Sequence, residues 1–539
     1  MKQGFRQSMA WLHTWTGLLV GWVLLLIFMG GTASYYRQEI SRWMRPELPA
    51  TQVDATTALR SAEHYLRAHA GDAQSWNITL PTPREPVMPM YWLNPAPVPG
   101  STAPQRAMYE TATVDPATGE DIHARETMGG DFFYRLHFDL HYLPVVWARY
   151  IVGFCAMFML VAIISGVITH KKIFKDFFTF RPGKGQRSWL DFHNVSAVLA
   201  LPYHAMITYT GIVTLMFMYL PWGIKATYPE GEMRFYDEAF NRLADTRQAA
   251  GVPAAMLPLD RFVQQARRQW HADAAIGSVF VNLPGDAHAS VAVTQRAQSM
   301  SVDAPSLLFD GTTGRLLRRS ADPGGATQTR GVMYGLHMAE FARPLLRLLF
   351  FGSGLLGCLM VASGVVLWAV KERPKHQKAG RIGFGLRLVD SLNIGAVAGL
   401  PIAFASYFWA NRLVPVGIEG RAEVEVVVFF WAWAGALAAA FAWPKRPMWV
   451  WQLYLGAALF AGVPLLNALT THVHLGVTLP AGDWALAGVD LVCLFLGLCL
   501  GVAGWRMQHW QAPLSAAERR AKATAAPPRP TKPAQESVS

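Results

Sequence analysis

An apolar stretch that carries two histidines, residues 189–220, constrains the fold of this chain more than any other segment. It is long enough to cross a bilayer as one helix, and it contains His193 and His204. In a straight helix the two imidazoles lie within about 20° of one face and about 16 Å apart along the axis. Pro202 lies between them, and a kink there would change that angle. Such a segment is stable only if its histidines face a protein interior and have partners.

The most specific partner for two histidines stacked in this way is a pair of macrocycles. One ligand to each of two b-type haems, one haem in each membrane leaflet, fits their separation along the helix. The alternative is that His193 and His204 form hydrogen bonds to neighbouring helices and bind nothing.

Composition excludes a soluble enzyme. Of the 539 residues, 52% are hydrophobic and only 16% are charged, and the mean hydropathy is positive. These values predict a polytopic α-helical membrane protein. About eight spans are expected, at 12–34, 144–169, 189–220, 345–370, 387–410, 423–443, 448–469 and 485–505.

The basic residues predict the orientation. Clusters of lysine and arginine follow the second, fourth, sixth and eighth spans, so every second loop is basic. Both termini are therefore expected in the cytoplasm of a bacterial cell, with the protein in the inner membrane and residues 371–386 forming a basic cytoplasmic loop. The tail 506–539 is rich in alanine and proline and is expected to be disordered. Topology and contact with lipid thus explain the net charge of +12 without a nucleic-acid partner.

Two large segments, 35–143 and 221–344, are expected in the periplasm. In the first segment, the spacing of apolar residues and the turn residues predict a helix at 54–70, strands near 74–80 and 88–93, and a hairpin at 108–122. The second predicts the same order, with a helix at 259–270, strands near 277–283 and 289–295, and a hairpin at 307–317. Each is read as a small α+β domain, so the chain contains an internal repeat of span, domain and span.

Histidines fall at matching places in the two copies. HTWTG at 13–17 aligns with HNVSA at 193–197, which places His13 on His193. YRLHFDLH at 134–141 aligns with YGLHMAEF at 334–341, which places His137 on His337. Two-fold pairing puts the first two together near the cytoplasmic surface and the other two together near the outer surface. These four are candidate axial ligands to haem iron, although a duplicated structural histidine would be repeated too.

Other histidines leave the pairing open. His170 ends the second span and could replace either member of the cytoplasmic pair. His204 could bind the outer haem opposite His137, His141 or His337. These alternatives cannot be separated by spacing alone.

The last four spans, 387–505, form an additional bundle. LPIAF at 400–404 resembles LPYHA at 201–205, but Leu392 and Ala403 stand where the third span has histidines. A copy without imidazoles is not expected to bind haem. Packing, quinone access and partner docking all remain open as roles for this bundle.

Other cofactor motifs fail. Residues 352–357 match G-x-G-x-x-G, but they lie inside a span with no preceding strand, so small residues there more plausibly allow close helix or macrocycle approach. The sequence has no phosphate-binding loop, no H-E-x-x-H zinc motif, and no recognisable flavin or nicotinamide domain. The electron donor is therefore expected to be another molecule, either a cytoplasmic reductant or a quinol.

HTWTGLLVGW at 13–22, the L-H motifs ahead of spans two and four, and the paired outer domains resemble the PepSY-associated transmembrane family over about residues 5–375. That family includes inner-membrane ferric-siderophore reductases of the ferrioxamine type. The resemblance implies two b haems and electron flow from the cytoplasmic side to a ferric siderophore outside. The chelator then releases iron for uptake, because oxygen ligands hold Fe(II) far less tightly than Fe(III).

Two other functions remain possible at this stage. The protein could be a b-type electron carrier that serves a different periplasmic acceptor, such as a redox protein or a quinone. It could instead be a haem-free transporter or sensor whose outer domains bind a ligand. An optical spectrum separates the haem-free class from the other two.

Overall fold

The structure is a computed structural model that describes residues 4–49, 53–95, 108–170, 180–240, 243, 245, 247–297 and 299–510. Lys171, Lys172 and Lys175 of the first basic loop, and most of the predicted disordered tail, lie outside these residues.

Helices form most of the described chain. In chain order they are α1 (Phe5–Ser34), α2 (Arg37–Trp43), α3 (Ala55–His69), α4 (Gly130–Asp139), α5 (Val145–Thr169), α6 (Gln186–Leu199), α7 (Leu201–Thr214), α8 (Met216–Tyr219), α9 (Trp222–Thr227), α10 (Glu232–Ala239), α11 (Leu259–Gln269), α12 (Gly325–Met338), α13 (Pro344–Lys378), α14 (Phe384–Asn393), α15 (Gly399–Leu413), α16 (Arg421–Ala442), α17 (Arg446–Thr470), α18 (Leu475–Thr478) and α19 (Trp484–His509). A π-helical turn, Ile394–Ala398, joins α14 to α15.

The protein is a polytopic helical membrane protein. Among the described residues, seven helical segments are long and apolar enough to cross a membrane, and an eighth is obtained if α6 and α7 count as one broken span. These segments coincide with the eight predicted spans. We call the side of the bundle that carries the sheet described below the sheet side, and the opposite side the loop side.

The third span is not straight. α6 and α7 meet at Ala200 with a bend of 68°. Pro202, in the first turn of α7, has no backbone N–H and therefore cannot continue the hydrogen-bond ladder of α6. The expectation that His193 and His204 share one face of a single straight helix is therefore wrong.

The two predicted outer domains share one sheet. Its strands are β1 (Ser75–Thr79), β2 (Met88–Leu93), β3 (Tyr109–Val114), β4 (Ile276–Asn282), β5 (Ser290–Gln295), β6 (Ser306–Asp310) and β7 (Leu316–Arg319). In the described residues they form a seven-stranded sheet in the order β3-β2-β1-β4-β5-β6-β7. β1 and β4 pair antiparallel across the domain boundary. The predicted hairpin at 108–122 contains one strand only, followed by an isolated bridge from Val114 to Asp121.

The two long helices of these domains, α3 and α11, pack together over the apolar face of the sheet. Arg60 of α3 forms an ion pair with Asp260 at 2.9 Å. Glu63 of α3 accepts a hydrogen bond from the backbone N–H of Leu259 at 2.8 Å. The first half of the chain and the second half therefore form a single unit on the sheet side.

Small residues let α13 approach α1 closely. A Cβ atom added at Gly354 would overlap Thr32, and one added at Gly357 would overlap Phe28. The G-x-G-x-x-G sequence of α13 thus serves helix contact, as its place inside a span suggested.

Candidate functional site

One pair of histidines lies on the loop side of the bundle. The rings of His13 on α1 and His193 on α6 face each other edge to face, with their centroids 6.2 Å apart. His13 Nδ1 lies 2.8 Å from the carbonyl oxygen of Ala162 on α5. His193 Nδ1 lies 2.9 Å from the carbonyl oxygen of Met360 on α13. The two imidazoles are held in the same way by equivalent helices.

A second pair lies on the sheet side. The rings of His137 on α4 and His337 on α12 have centroids 6.4 Å apart and an interplanar angle of 27°. Burial lowers the pKa of His137 to about 4 and the pKa of His337 to about 3. Both imidazoles are therefore neutral at pH 7, which is the form that binds metals.

The hydrogen bonds decide which ring nitrogen is free in each histidine. A carbonyl oxygen can only accept, so His13 and His193 must carry their proton on Nδ1. The hydroxyl of Thr210 already donates to the Met206 carbonyl, so its oxygen accepts from Nδ1 of His337 at 3.2 Å. All three rings thus keep an Nε2 lone pair, the usual arrangement when the other nitrogen orients a metal ligand.

His137 lacks this support. Its Nδ1 is buried and has no side-chain partner among the described residues; only the backbone of Phe133 and Tyr134, in its own helix, interacts with the ring. Thr210 lies seventeen residues after His193, and the same step from His13 reaches Gly30, which packs against His137 but has no side chain to accept a proton. The two members of the sheet-side pair are therefore held differently.

Each of the four rings rests on a glycine. A Cβ atom would come within 3.1 Å of His13 if placed on Gly166 and within 3.2 Å of His193 if placed on Gly364. At Gly211 it would come within 3.0 Å of His337. Beside His137 the contacts are different: a Cβ atom on Gly30 would come within 3.2 Å of the His137 Cβ atom, and one on Gly31 would lie 3.7 Å from the ring, an ordinary contact distance. A larger side chain at Gly166, Gly364 or Gly211 would push the imidazole away from its partner.

A partly open cavity adjoins the sheet-side pair. Its walls are mostly apolar, and it is lined by both histidines and by Tyr134 and Tyr203. Arg37 lies over the Tyr134 ring at 4.8 Å and forms ion pairs of 3.7 Å to Asp131 and Glu340. The cavity therefore combines apolar walls with two imidazoles and a cation, which is the lining expected of a small-molecule or cofactor site.

The other candidate histidines join neither pair. The buried ring of His204 packs edge to face against Phe28, and its Nε2 lies 3.4 Å from the Ser353 carbonyl oxygen. His141 stacks on Phe430 and has its Nε2 3.9 Å from Glu423 of α16, so it faces the C-terminal bundle. His170 caps the end of α5 and lies near enough to His193 to influence it electrostatically.

The donor sets suit a metal that brings its own equatorial ligands. No group of three or more His, Cys, Asp or Glu side chains that could hold a metal ion occurs in the described part of the chain. Two imidazole nitrogens on opposite sides of one metal ion, each about 2 Å from it, place the ring centroids roughly 6 Å apart. Both histidine pairs have this separation, so His13 with His193, and His137 with His337, would each be able to hold one haem iron, which would supply one-electron chemistry there.

The segment that carries both histidine pairs matches a known protein family. Residues 10–371 match the PepSY-associated TM region. The chain belongs to this family. The matched segment contains both histidine pairs and ends within α13. A curated relative in Pseudomonas aeruginosa, itself uncharacterised, is 26% identical over 396 residues, which cover 68% of this chain and 92% of the relative.

Some supporting residues of this family member were missed in the sequence. The sequence Ser-Gly-Val recurs at 165–167, in the last turns of α5, and at 363–365, within α13. In each, the glycine faces a histidine, and the serine bonds to the carbonyl that the same histidine contacts. A comparison of the second span with the fourth would have found the motif. The Thr210 contact, in contrast, has no equivalent in the first half.

Proposed function

We propose that this protein is a di-haem inner-membrane reductase that delivers electrons to a periplasmic ferric siderophore. A cytoplasmic reductant or a quinol gives up the electrons on the loop side. On the sheet side, one electron converts each chelated Fe(III) to Fe(II), which the oxygen ligands of the siderophore hold weakly and release for iron uptake. When bound, the two b-type haems would supply reversible one-electron transfer between these two sides.

The observation that carries this proposal is the presence of two histidine pairs, each with the ring separation of one metal ion, at the two ends of one bundle. A histidine pair at one end alone would support a single redox centre, and a single centre at one end could not carry an electron across the bilayer. The free Nε2 atoms and the glycine beside each ring support the same assignment.

The chain's own groups have separate tasks in this proposal. His13 and His193 would hold the haem on the loop side, and His137 and His337 would hold the haem on the sheet side. The carbonyl oxygens of Ala162 and Met360 fix the tautomer and angle of the first two rings. Arg37 lines the cavity, so its guanidinium would pair with a carboxylate group of a molecule bound there.

The proposal is tested first by a pyridine haemochrome assay on the purified protein. Two b-type haems per chain are expected, and both are expected to be low-spin because each would have two imidazole ligands. A ratio of one or none contradicts the two-centre assignment. With two haems present, stopped-flow reoxidation of the reduced protein by ferric hydroxamates, and by a quinone as the competing acceptor, separates a siderophore reductase from a general electron carrier.

A second prediction concerns Thr210. Replacement by valine keeps the volume but removes the oxygen that accepts from His337 Nδ1. The backbone of Ile207 can still accept from His337, so loss of the Thr210 oxygen is expected to weaken haem binding by about 10-fold, the lower end of the range for a supporting hydrogen bond. Transfer of haem from the Thr210→Val protein to excess apomyoglobin should therefore be faster for one haem only. Thr214→Val on the same helix is the control, because Thr214 bonds to the Gly211 carbonyl instead; equal loss from both variants would contradict the role.

A further inference from the structure

The C-terminal bundle, α14–α19, lies outside the segment that matches the family. Its central helix, α15, is buried along most of its length. Aromatic side chains of α15 and α16 project onto α4, the short helix that carries His137. The sequence left the role of this bundle open between packing, quinone access and docking, and these contacts favour one answer.

Ring contacts connect α15 to α4 one helical turn before His137. Phe133 stacks on Phe404 with centroids 4.6 Å apart and an interplanar angle of 5°. Phe133 also meets Tyr407 edge to face at 5.2 Å. The neighbouring Phe132 is fully buried and lies 5.1 Å from Phe429 of α16. Aromatic ring pairs have preferred orientations, so these contacts fix both the rotation of α4 about its own axis and its distance from α15 and α16.

Hydrogen bonds hold the start of the same helix. The Tyr407 hydroxyl donates to the carbonyl oxygen of Gly129, the N-cap residue of α4, at 3.0 Å. Thr127, two residues earlier, donates to the buried carboxylate of Glu425 on α16 at 2.5 Å. The Gly129 carbonyl and the Thr127 hydroxyl are therefore held by the C-terminal bundle. If the bundle moved away, each would lose a hydrogen-bond partner in a buried environment, which is costly.

The corresponding helix of the second half has different neighbours. α12, which carries His337, packs against α7 through the Thr210 contact and against the segment around Met300. At its start, Gly324 and Gly325 have open space around them, whereas Gly129 and Gly130 are pressed against Ser41 and Arg37 of α2. Within the sheet-side pair, His137, whose Nδ1 has no side-chain partner among the described residues, is thus the one whose helix the bundle contacts.

We propose that the C-terminal bundle positions His137: Phe404, Tyr407 and Glu425 replace, through the packing of α4, the side-chain support that His337 receives from Thr210. These are positioning residues that touch no cofactor. The inference rests on the proposed function insofar as His137 is a haem ligand. The packing of α4 can be tested without haem.

The experiment compares Phe404→Ala and Tyr407→Phe with Phe460→Ala, a control that opens a cavity in α17 of the same bundle. In the haem-loaded protein, Phe404→Ala and Tyr407→Phe are expected to change the low-spin electron paramagnetic resonance signal and midpoint potential of one haem. The signal of the other haem and the haem-to-protein ratio should stay unchanged. Phe460→Ala is expected to leave both signals as in the wild type. Unchanged signals in the two folded α15 variants, or equal changes in both haems, would overturn the proposal.

A measurement that does not depend on haem accompanies it. Amide hydrogen exchange in residues 130–139 should become about tenfold faster in Phe404→Ala than in Phe460→Ala, because the ring stack that holds α4 is lost. A Phe133→Ala, Phe404→Ala double variant should be no worse than either single variant if both act through the same stack. If the wild type binds no haem, the proposed function fails, and exchange in this helix still decides whether the bundle holds it.

Discussion

Alanine in place of His193 is expected to leave one haem in its native low-spin state and to remove the other or make it high-spin. The physical reason is that the rings of His193 and His13 are 6.2 Å apart, a distance that leaves room for one metal ion between them. This pair lies at the end of the bundle opposite His137 and His337. Transfer of electrons from a loop-side donor to an external acceptor should fall by about 100-fold or more, beyond the effect of losing a supporting contact. Haem content, optical spectra and transfer rate in proteoliposomes measure the three outcomes.

The matched control for that result is Ser363→Ala. It removes a hydroxyl 3.2 Å from His193 Nδ1 but leaves the Met360 carbonyl in place to accept the same proton. Both haems should remain bound. Loss of both haems from His193→Ala, in a protein that is otherwise folded, would mean that the two centres are not separate.

Alanine in place of His337 should have an equally large effect on the opposite side. Reoxidation of the reduced protein by a ferric chelate is expected to slow by about 100-fold, while the spectrum of the loop-side haem persists. The cavity beside His337 is lined by His137 and Tyr134 and opens toward the surface. Free imidazole in the buffer should therefore enter the vacated position and restore part of the low-spin signal.

His204 separates the two possible ligand sets on this side. Its ring packs on Phe28 and faces the Ser353 carbonyl, so His204→Leu is expected to keep both haems with native spectra. The sequence alternative, in which His204 binds the outer haem, predicts loss of that haem. If His204→Leu loses the outer haem, His204 is one of its ligands and the pair of His137 and His337 is not the complete ligand set.

The sequence by itself determined the membrane class, the positions of the spans and the order of helices and strands in the outer domains. These features depend on local properties: the length of an apolar run, the period of its side chains and the residues that start or end a turn. Alignment of the two halves also predicted that His13 lies beside His193 and His137 beside His337, and the ring contacts agree with that pairing.

The tertiary structure alone decided that His204, His141 and His170 join neither pair, and what supports each paired ring. The 68° bend at Ala200 separates His204 from His193, and the size of a proline kink depends on the helices packed around it. The pairing of β1 with β4 joined two predicted domains into one sheet. The contacts of Phe133 with Phe404, and of His337 with Thr210, connect segments more than a hundred residues apart. Such contacts depend on packing between distant parts of the chain, and the pattern of residues within one segment contains no information about that packing.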